Sequence, residues 1–427
     1  RLRLARVMNP SDYQQEFDKI IARKYFDKTL EKTRKEAFSK FLNLGLPTKK
    51  WEDWRHTDLS LIKKQNFRIS EKHDAPNNKL NISDYDIENC YTVVIKNGHY
   101  IKNESSIPKG VKILTNLEYL KQNNWKHKSK QETPFDLLNT SFCDSGLSFI
   151  IEPNVKISNP IHILFMYSGN DNLFVNPQIN IDISHSSSAT FIEQYTAEQS
   201  SSFQNTSVFC CMKENAALNH IRIFSNADEA INISSLYTDQ AEGSNYEYFQ
   251  FVNSSALQRS DIYGKLNGVN SSCSLSGLTL SKDNQHSAIY INTDHAKPHC
   301  TSSQNFKSIL NDMSSGVFNG RTVVQEDSQK TNSRQSNKNL LLSDKALMNS
   351  NPQLEIYADD VKCAHGSTTG ALDKEALFYM QSRGINKEEA SSLLIRGFAS
   401  ELINEVQHEE TKKYLLNKFD HWLRYYN

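Results

Sequence analysis

Residues 179–183 read I-N-I-D-I, and residues 246–251 read Y-E-Y-F-Q-F. In both stretches large apolar side chains stand two positions apart with a polar residue between them, and Ile221 and Ile223 repeat the pattern. Alternation of this kind is typical of a β-strand that buries one of its faces. From about Ile150 to Val324 no long segment keeps a helical period, which disfavours repeated strand–helix–strand units. The middle of the chain is therefore predicted to be all-β.

The spacing of these strands leaves three architectures open. Strand signals recur at intervals of very roughly 11 to 18 residues, which is compatible with a sandwich, a barrel or a β-solenoid. Runs of small residues, such as S-S-C-S-L-S at residues 271–276, slightly favour the solenoid because they can stack inside narrow coils. Spacing alone does not choose among the three.

Helical patterns flank the β region on both sides. From Ser11 to about Leu44 apolar residues recur at three- and four-residue spacing, and Gly45 is predicted to end the helix. Asp373 is predicted to cap a helix through Gln381, and Asn386 to cap the next one. A last helix is predicted to carry an aromatic-rich set of side chains. The residues that define the first and last patterns are Phe17, Ile20, Ile21, Tyr25, Phe38, Phe41, Leu42, Tyr414, Leu415, Phe419, Trp422, Leu423, Tyr425 and Tyr426.

The charge balance and the cysteines limit the classes of function. The chain has 49 basic and 49 acidic residues, so no field of one sign attracts nucleic acid or an anionic membrane. Its apolar runs, such as Ile161–Tyr167, are far shorter than the roughly 20 residues of a membrane-spanning helix. The seven cysteines are scattered, and the segment Arg1–Val7 is too short for a secretory signal. These features predict a reducing, cytoplasmic setting without a membrane or nucleic-acid partner.

Familiar enzyme signatures are missing from the sequence. The nearest glycine spacings, Gly264 to Gly268 and Gly366 to Gly370, lack the lysine and hydroxyl pair of a phosphate-binding loop. Neither a Gly-x-Ser-x-Gly elbow nor a His-Glu-x-x-His helix occurs. We therefore predict that the chain is not an enzyme.

Cys363 and His365 form the sharper of two candidate metal-binding groups. Side chains two positions apart on an extended strand point to the same face, so a thiolate and an imidazole there can share one soft ion. A structural zinc site needs four ligands, so the missing donors would come from another segment or another chain. The competing interpretation is that both residues only pack, because cysteine often behaves as a small hydrophobic residue.

His295, His299 and Cys300 form the weaker candidate. Pro298 and its polar neighbours predict a turn that would gather these side chains. A surface loop with unrelated histidines is the competing interpretation. This group therefore ranks below Cys363 and His365.

Three stretches of sequence resemble a known family. Residues 335–363 read Q-S-N-K-N-L-L-L-S-D-K-A-L-M-N-S-N-P-Q-L-E-I-Y-A-D-D-V-K-C and are followed by A-H-G-S-T-T-G. Residues 377–385 read L-F-Y-M-Q-S-R-G-I, and residues 47–57 read P-T-K-K-W-E-D-W-R-H-T. These motifs resemble the SufD branch of the SufB/SufD family of iron–sulfur cluster assembly proteins. The family pattern C-S-H-G-A is altered at Ala364 and Ser367, and neither change removes a candidate ligand.

The resemblance implies a mainly β fold, in which a right-handed parallel β-helix core is flanked by N-terminal and C-terminal α-helical domains. It implies an N-terminal helical domain over residues 1–80. The β-helix core, with its lead-in strands, would span residues 81–365. A C-terminal helical domain would follow over residues 366–427.

The resemblance also implies a function. The chain would be a scaffold subunit of the SUF iron–sulfur cluster assembly complex, pairing with a SufB-like subunit and docking a SufC-like ABC ATPase. Cys363 and His365 would lie near the SufB-like partner, where iron or an iron–sulfur cluster is held transiently, and no other cofactor is expected. Arg383 and Phe398, in the helical tail, are the candidate contacts for the ATPase.

Two alternatives remain open at this point. The first is a stand-alone homodimer of the same family, which would bury the same β-helix end against its own copy. The second is a carbohydrate-active β-solenoid, which predicts secretion and aligned acidic residues for calcium or acid–base chemistry. The strand region carries no obvious acidic ladder, so the second alternative is the weaker one.

Overall fold

The computed structural model describes residues 12–23, 27–65, 67–74, 80–123, 131–143, 145–168, 172–197, 202–424 and 426. Parts of the predictions above lie outside these residues, namely those on Arg1–Val7, Ser11, Tyr25 and Tyr425.

Most of the chain forms two facing sheets. Sheet one runs, in the order of its hydrogen-bonded neighbours, β20 (Leu347–Ile356), β18 (Ser315–Val324), β16 (His286–His295), β14 (Leu257–Leu266), β12 (Ile231–Gln240), β10 (Phe203–Met212), β8 (Pro177–Ile183), β5 (Ser145–Ile151) and β4 (Val111–Thr115). Strand β7 (Leu173–Val175) also pairs with β10, and β1 (Arg68–Ile69) pairs with β7. Sheet two runs β21 (Lys362–Gly370), β19 (Asn332–Leu341), β17 (Thr301–Leu310), β15 (Ser272–Ser281), β13 (Asn245–Ser254), β11 (Ala217–Ser225), β9 (Ser188–Ala197), β6 (Ile161–Tyr167), β2 (Tyr91–Lys96) and β3 (His99–Tyr100).

The two sheets are the walls of a parallel β-helix. Each coil contributes one strand to each sheet, and strands of successive coils pair in parallel and in register. His286 and Ser315, for example, are in-register partners 29 positions apart. Several turns between strands use asparagine with positive φ, such as Asn215 and Asn270, since asparagine tolerates the left-handed conformation better than most residues. The predicted mainly β fold with a parallel β-helix core is confirmed.

Side chains alternate between the interior of the coil and its outer surface. Ile179, Ile181 and Ile183 all point inward and belong to the main core cluster, as their spacing predicted. In the run 271–276, Cys273 is also an interior residue. Ser274 instead lies on the exposed outer face, where its hydroxyl bonds that of Ser303 at 2.9 Å. The prediction that the small residues of this run all stack inside the coil was therefore wrong for Ser274, because neighbours along a strand face opposite ways.

The helices lie on both sides of the β-helix. They are α1 (Asp12–Ile21), α2 (Lys28–Leu44), α3 (Ser60–Lys64), α4 (Asn116–Gln122), α5 (Pro134–Phe142), α6 (Lys374–Ser382), α7 (Lys387–Ile403) and α8 (Glu409–Arg424). Short 3-10 helices span Glu52–Trp54, Lys72–Asp74, Ile82–Asp84 and Lys102–Glu104. Helices at both flanks of the core were predicted, and they are confirmed.

The amino-terminal region covers the outer face of sheet one. Apolar residues of α1, α2 and α5 share a core with Phe203, Ile231 and Leu257 of that sheet. The predicted helix from Ser11 to Leu44 is two helices in the structure, because Asp27 caps a new one by accepting from the Thr29 backbone N–H at 2.7 Å. Gly45, at φ 70°, ends α2 as predicted.

Arg259 joins the amino-terminal region to sheet one. Its guanidinium lies 3.6 Å from the centroid of the Trp54 ring and donates to the Asp53 carbonyl at 2.8 Å. Its Nε donates to Asp261 at 2.8 Å, so the buried cation has a carboxylate partner. The tryptophan-bearing segment 47–57 is thus an anchor for the amino-terminal region.

The carboxy-terminal helices pack on the outer face of sheet two. Asp373 and Asn386 cap α6 and α7 by accepting backbone N–H groups, as predicted. Buried residues of α7 and α8, including Phe419, join a core with Phe251 and Ile309 of the sheet. The domain boundaries at residues 80 and 365 stay predictions, and strand β21 continues past the second of them.

We expect the protein to lose stability in mild acid. Burial lowers the pKa of His162 and of His286 to about 4, so both rings are neutral in the folded state. In the unfolded chain a histidine binds a proton below about pH 6.5. Stability should therefore fall as pH drops from about 6.5 toward 4, by a few kcal/mol in total.

Urea denaturation at a series of pH values checks this expectation. His162→Gln should make the curve shallower in that range, since it removes one of the four histidines, with His99, His286 and His295, whose pKa burial lowers to about 4. Thr368→Ala, at an exposed position without a titratable group, is the control and should leave the curve unchanged. An unfolding midpoint that stays constant between about pH 6.5 and 4 would contradict the expectation.

Candidate functional site

The β-helix has one open end and one covered end. Strands β20 and β21 are the last in their sheets, and within the described chain no strand pairs with their outer edges. At the opposite end the last strands are the short β3 and β4, and α4 packs against β4 and β5. A long free edge leaves backbone N–H and C=O groups ready to pair with another chain.

Apolar side chains surround the open end. Leu347, at the start of β20, is 62% exposed, and Tyr357, just after it, is 61% exposed. Ile356 is 41% exposed. Large apolar groups exposed beside an unpaired strand edge are typical of a protein–protein interface.

Cys363 and His365 lie on the last strand, β21, and face the interior of the coil. Cys363 is in register with Ser333 of β19, and His365 is in register with Gln335. Ser333 and Gln335 are both buried in the interior, and in-register residues of paired strands lie on the same face. The structure therefore places the thiol and the imidazole two positions apart on the inward face of the final coil, at the open end of the β-helix.

The two side chains differ in exposure. Burial raises the pKa of the half-buried Cys363 thiol, and a backbone hydrogen bond from Ser333 only partly offsets this effect. His365 is exposed. A thiol with a raised pKa stays protonated until a cation stabilises the thiolate, so Cys363 is a poor nucleophile alone but a usable metal ligand.

The residues that the structure describes do not complete a metal site around the pair. Among the described residues, no group of three or more His, Cys, Asp and Glu side chains is arranged to hold one ion. Asp360, close in sequence, is ion-paired with Lys330. The described residues thus leave a coordination shell around the pair incomplete.

The weaker candidate group is divided between the interior and the surface. His295 is buried, and its Nε2 lies 2.8 Å from the Ser302 hydroxyl. Cys300 is also buried, with its sulfur 3.2 Å from the Gly268 carbonyl oxygen. His299 is exposed in the turn between them, at φ 61°. The structure gives each residue its own surroundings, and their proposed role as ligands stays a prediction.

The interior of the last coils is polar, a feature that the sequence argument missed. Gln304 crosses the interior to donate to Thr293 at 3.2 Å and Thr322 at 3.3 Å, and Gln335 donates to Thr322 at 2.7 Å. In the first coils the same positions hold isoleucine and phenylalanine. The signal was present as alternate polar residues in 333–339, but alternate polar residues are read as the exposed face of a strand.

The two candidate contacts for the ATPase have different surroundings. Phe398 is half-buried, and the Lys307 ammonium lies 4.6 Å from its ring centroid. Arg383 is exposed at the end of α6, where it donates to the Tyr379 hydroxyl at 3.2 Å. Helix α6 itself has no buried residue, and Phe378 and Tyr379 on it are 73% and 59% exposed. The sequence analysis did not predict that these two aromatic side chains are exposed.

Matches to known families identify the class to which this open-ended β-helix belongs. Residues 165–398 match the family described as "SUF system FeS cluster assembly, SufBD core domain", and residues 11–163 match "SufBD protein N-terminal region". The chain belongs to the SufBD family of iron–sulfur cluster assembly proteins.

Relatives match along nearly the whole chain. The iron–sulfur cluster assembly protein SufD of Escherichia coli is 28% identical over 386 residues, covering 89% of this chain and 90% of the relative. A SufBD family protein of Synechocystis is 28% identical over 410 residues, covering 89% and 88%. A chloroplastic protein of Arabidopsis thaliana, ABCI7, is 26% identical over 407 residues, covering 90% and 84%. Within the part of the chain that the structure describes, no helix has the length and apolar character needed to cross a membrane.

Proposed function

We propose that this chain is a non-catalytic scaffold subunit of a SUF complex that pairs with a SufB-like subunit through the open end of its β-helix. The observation that carries the proposal is the pair of unpaired terminal strands, β20 and β21, bordered by exposed apolar side chains. An edge of this kind is stabilised by pairing with another strand and by burial of its apolar rim.

Cys363 and His365 would then contribute ligands to a cargo shared by the two subunits. Both side chains lie on the inward face of the last strand, so a subunit placed over the open end would cover them. Thiolate and imidazole suit iron and iron–sulfur clusters, and the partner would supply the remaining donors. The iron or cluster is the cargo of the assembly, held transiently and passed on.

The carboxy-terminal helices would receive a SufC-like ABC ATPase. Exposed aromatic residues on α6 and the guanidinium of Arg383 offer a contact surface, and Phe398 connects that region to sheet two through Lys307. Dimerisation of two ATPase subunits would pull on these helices and shift the interface at the open end. We also place the complex in a reducing compartment, the cytoplasm or a plastid, which suits seven free thiols.

Leu347→Lys should weaken pairing with a SufB-like subunit at least tenfold, because burying an unpaired ammonium costs more than about 1.4 kcal/mol. The substitution should not affect folding, since the side chain is 62% exposed. Affinity is measured by titrating the labelled partner. Leu44→Lys, the same substitution at a 43% exposed leucine on helix α2, is the matched control.

Mass measurement distinguishes the alternatives. A heterodimer in the presence of the SufB-like subunit supports the proposal, and a homodimer that persists in its presence points to the stand-alone family member. Equal affinity of the Leu347→Lys and wild-type chains for the SufB-like subunit would contradict an interface at the open end.

A further inference from the structure

The Gln335 side-chain amide is only half satisfied. Its Nε2 donates to the Thr322 hydroxyl at 2.7 Å and lies 3.4 Å from the Gln353 carbonyl oxygen. Its Oε1 is buried and has no hydrogen-bond partner. Leaving a buried carbonyl oxygen without a hydrogen bond destabilises a protein by about 1–3 kcal/mol, so a hydrogen-bond donor at this atom would be stabilising.

Only two in-register neighbours flank Gln335 on its own sheet. The neighbour on β17 is Gln304, whose Nε2 already donates to Thr293 and Thr322. The neighbour on β21 is His365. Adjacent strands lie about 4.8 Å apart, a distance that a histidine ring spans by rotating its side chain. Because the orientation of the Gln335 amide is fixed by Thr322, its oxygen is available to an N–H group of that ring.

We propose that Gln335 is a positioning residue for His365, accepting one ring N–H on Oε1 so that the other ring nitrogen is left unprotonated for the metal cargo. The proposal rests on the proposed function. A histidine that ligates a metal almost always donates its second ring N–H to an oxygen acceptor, which fixes both the tautomer and the ring orientation. Gln335 provides an acceptor that is itself rigidly held.

Nuclear magnetic resonance of the chain alone, labelled with ¹⁵N-histidine, tests the contact without any cargo. At about pH 8 the two ring nitrogens of His365 should show one dominant tautomer. The Gln335→Leu substitution should return the ring to the tautomer mixture of a free histidine. Gln335→Glu keeps an acceptor at that position and should preserve the dominant tautomer. The His365 signals are assigned by their loss in His365→Gln.

Gln304→Leu is the matched control, because it removes the same kind of half-satisfied carboxamide one coil deeper in the interior. It should leave the His365 signals unchanged. A tautomer mixture in the wild-type chain, or an unchanged tautomer in Gln335→Leu, would overturn the proposal.

A second measurement connects the contact to the cargo. In a complex assembled anaerobically with SufB-like and SufC-like subunits, Gln335→Leu should lower iron affinity roughly 10- to 100-fold, and Gln335→Glu should restore most of it. If His365→Ala leaves iron content unchanged, the ligand role in the proposed function fails. If His365→Ala lowers it but Gln335→Leu does not, only the positioning role fails.

Discussion

Arg222→Met should destabilise the protein by about 3–5 kcal/mol, because it leaves the buried Glu193 carboxylate without its cation. Both side chains are fully buried in the interior, and Arg222 Nε donates to Glu193 at 2.9 Å. Arg222 also donates to the hydroxyls of Tyr195 and Ser234 at 3.1 and 3.3 Å. Burial alone would raise the pKa of Glu193, but Arg222 and His220 outweigh it and hold that pKa at about 2. The carboxylate is thus charged at every working pH.

Urea denaturation of the purified chain measures the effect. The double variant Glu193→Gln with Arg222→Met removes both charges, and it should recover more than half of the stability that Arg222→Met loses. A surface pair provides the matched control, since Arg396 and Asp420 are partly exposed and Arg396→Met should cost less than about 1 kcal/mol. A loss below about 1 kcal/mol for Arg222→Met would mean that water or a rearranged neighbour satisfies Glu193.

Cys363→Ala and His365→Ala should each reduce the iron and sulfide content of an anaerobically coexpressed complex severalfold. The reason is that two soft ligands are an incomplete set, so the loss of one leaves the partner's donors to hold the cargo with fewer bonds. Neither substitution should change folding, because Cys363 is half-buried and His365 exposed at the last strand.

Iron and sulfide analysis of the purified complexes checks this prediction. Thr368→Ala is the matched control, since Thr368 lies on the same strand but on its outer face. The double variant should lose less than the product of the two single losses if the residues act on one cargo. Unchanged iron and sulfide in both single variants would remove the ligand role and leave the pairing proposal standing.

The alternation of apolar and polar residues made the β-strands of the core predictable. The winding of these strands into a β-helix could not be predicted from that alternation. Ile179 to Ile183 pointed to one buried face whichever architecture held them. In-register partners on successive coils, such as His286 and Ser315, lie 29 positions apart, and such long-range pairing leaves no local trace in the sequence. The parallel β-helix was therefore reached through the motifs of residues 335–363 and 377–385 and not through spacing.

The shared face of the two candidate ligands was predictable from the sequence, but the surroundings of these residues were not. Cys363 and His365 stand two apart, so a shared face followed from strand geometry alone. Gln335 could not be recognised from the sequence as an interior residue, because a glutamine in a polar stretch such as residues 333–339 is typical of an exposed strand. The inward position of Gln335 depends on which face of β19 meets the opposite sheet, and only the assembled coil decides that.

The difference between the two ends of the β-helix limits how large an assembly can grow. A rod with adhesive surfaces at both ends would add further copies without limit and form a fibre. Among the described residues the long unpaired strands β20 and β21 lie at one end, whereas the short strands β3 and β4, with α4 packed on β4, lie at the other. If the proposed partner binds at the end formed by β20 and β21, association through that end stops after one neighbour has bound, and the product is a discrete pair.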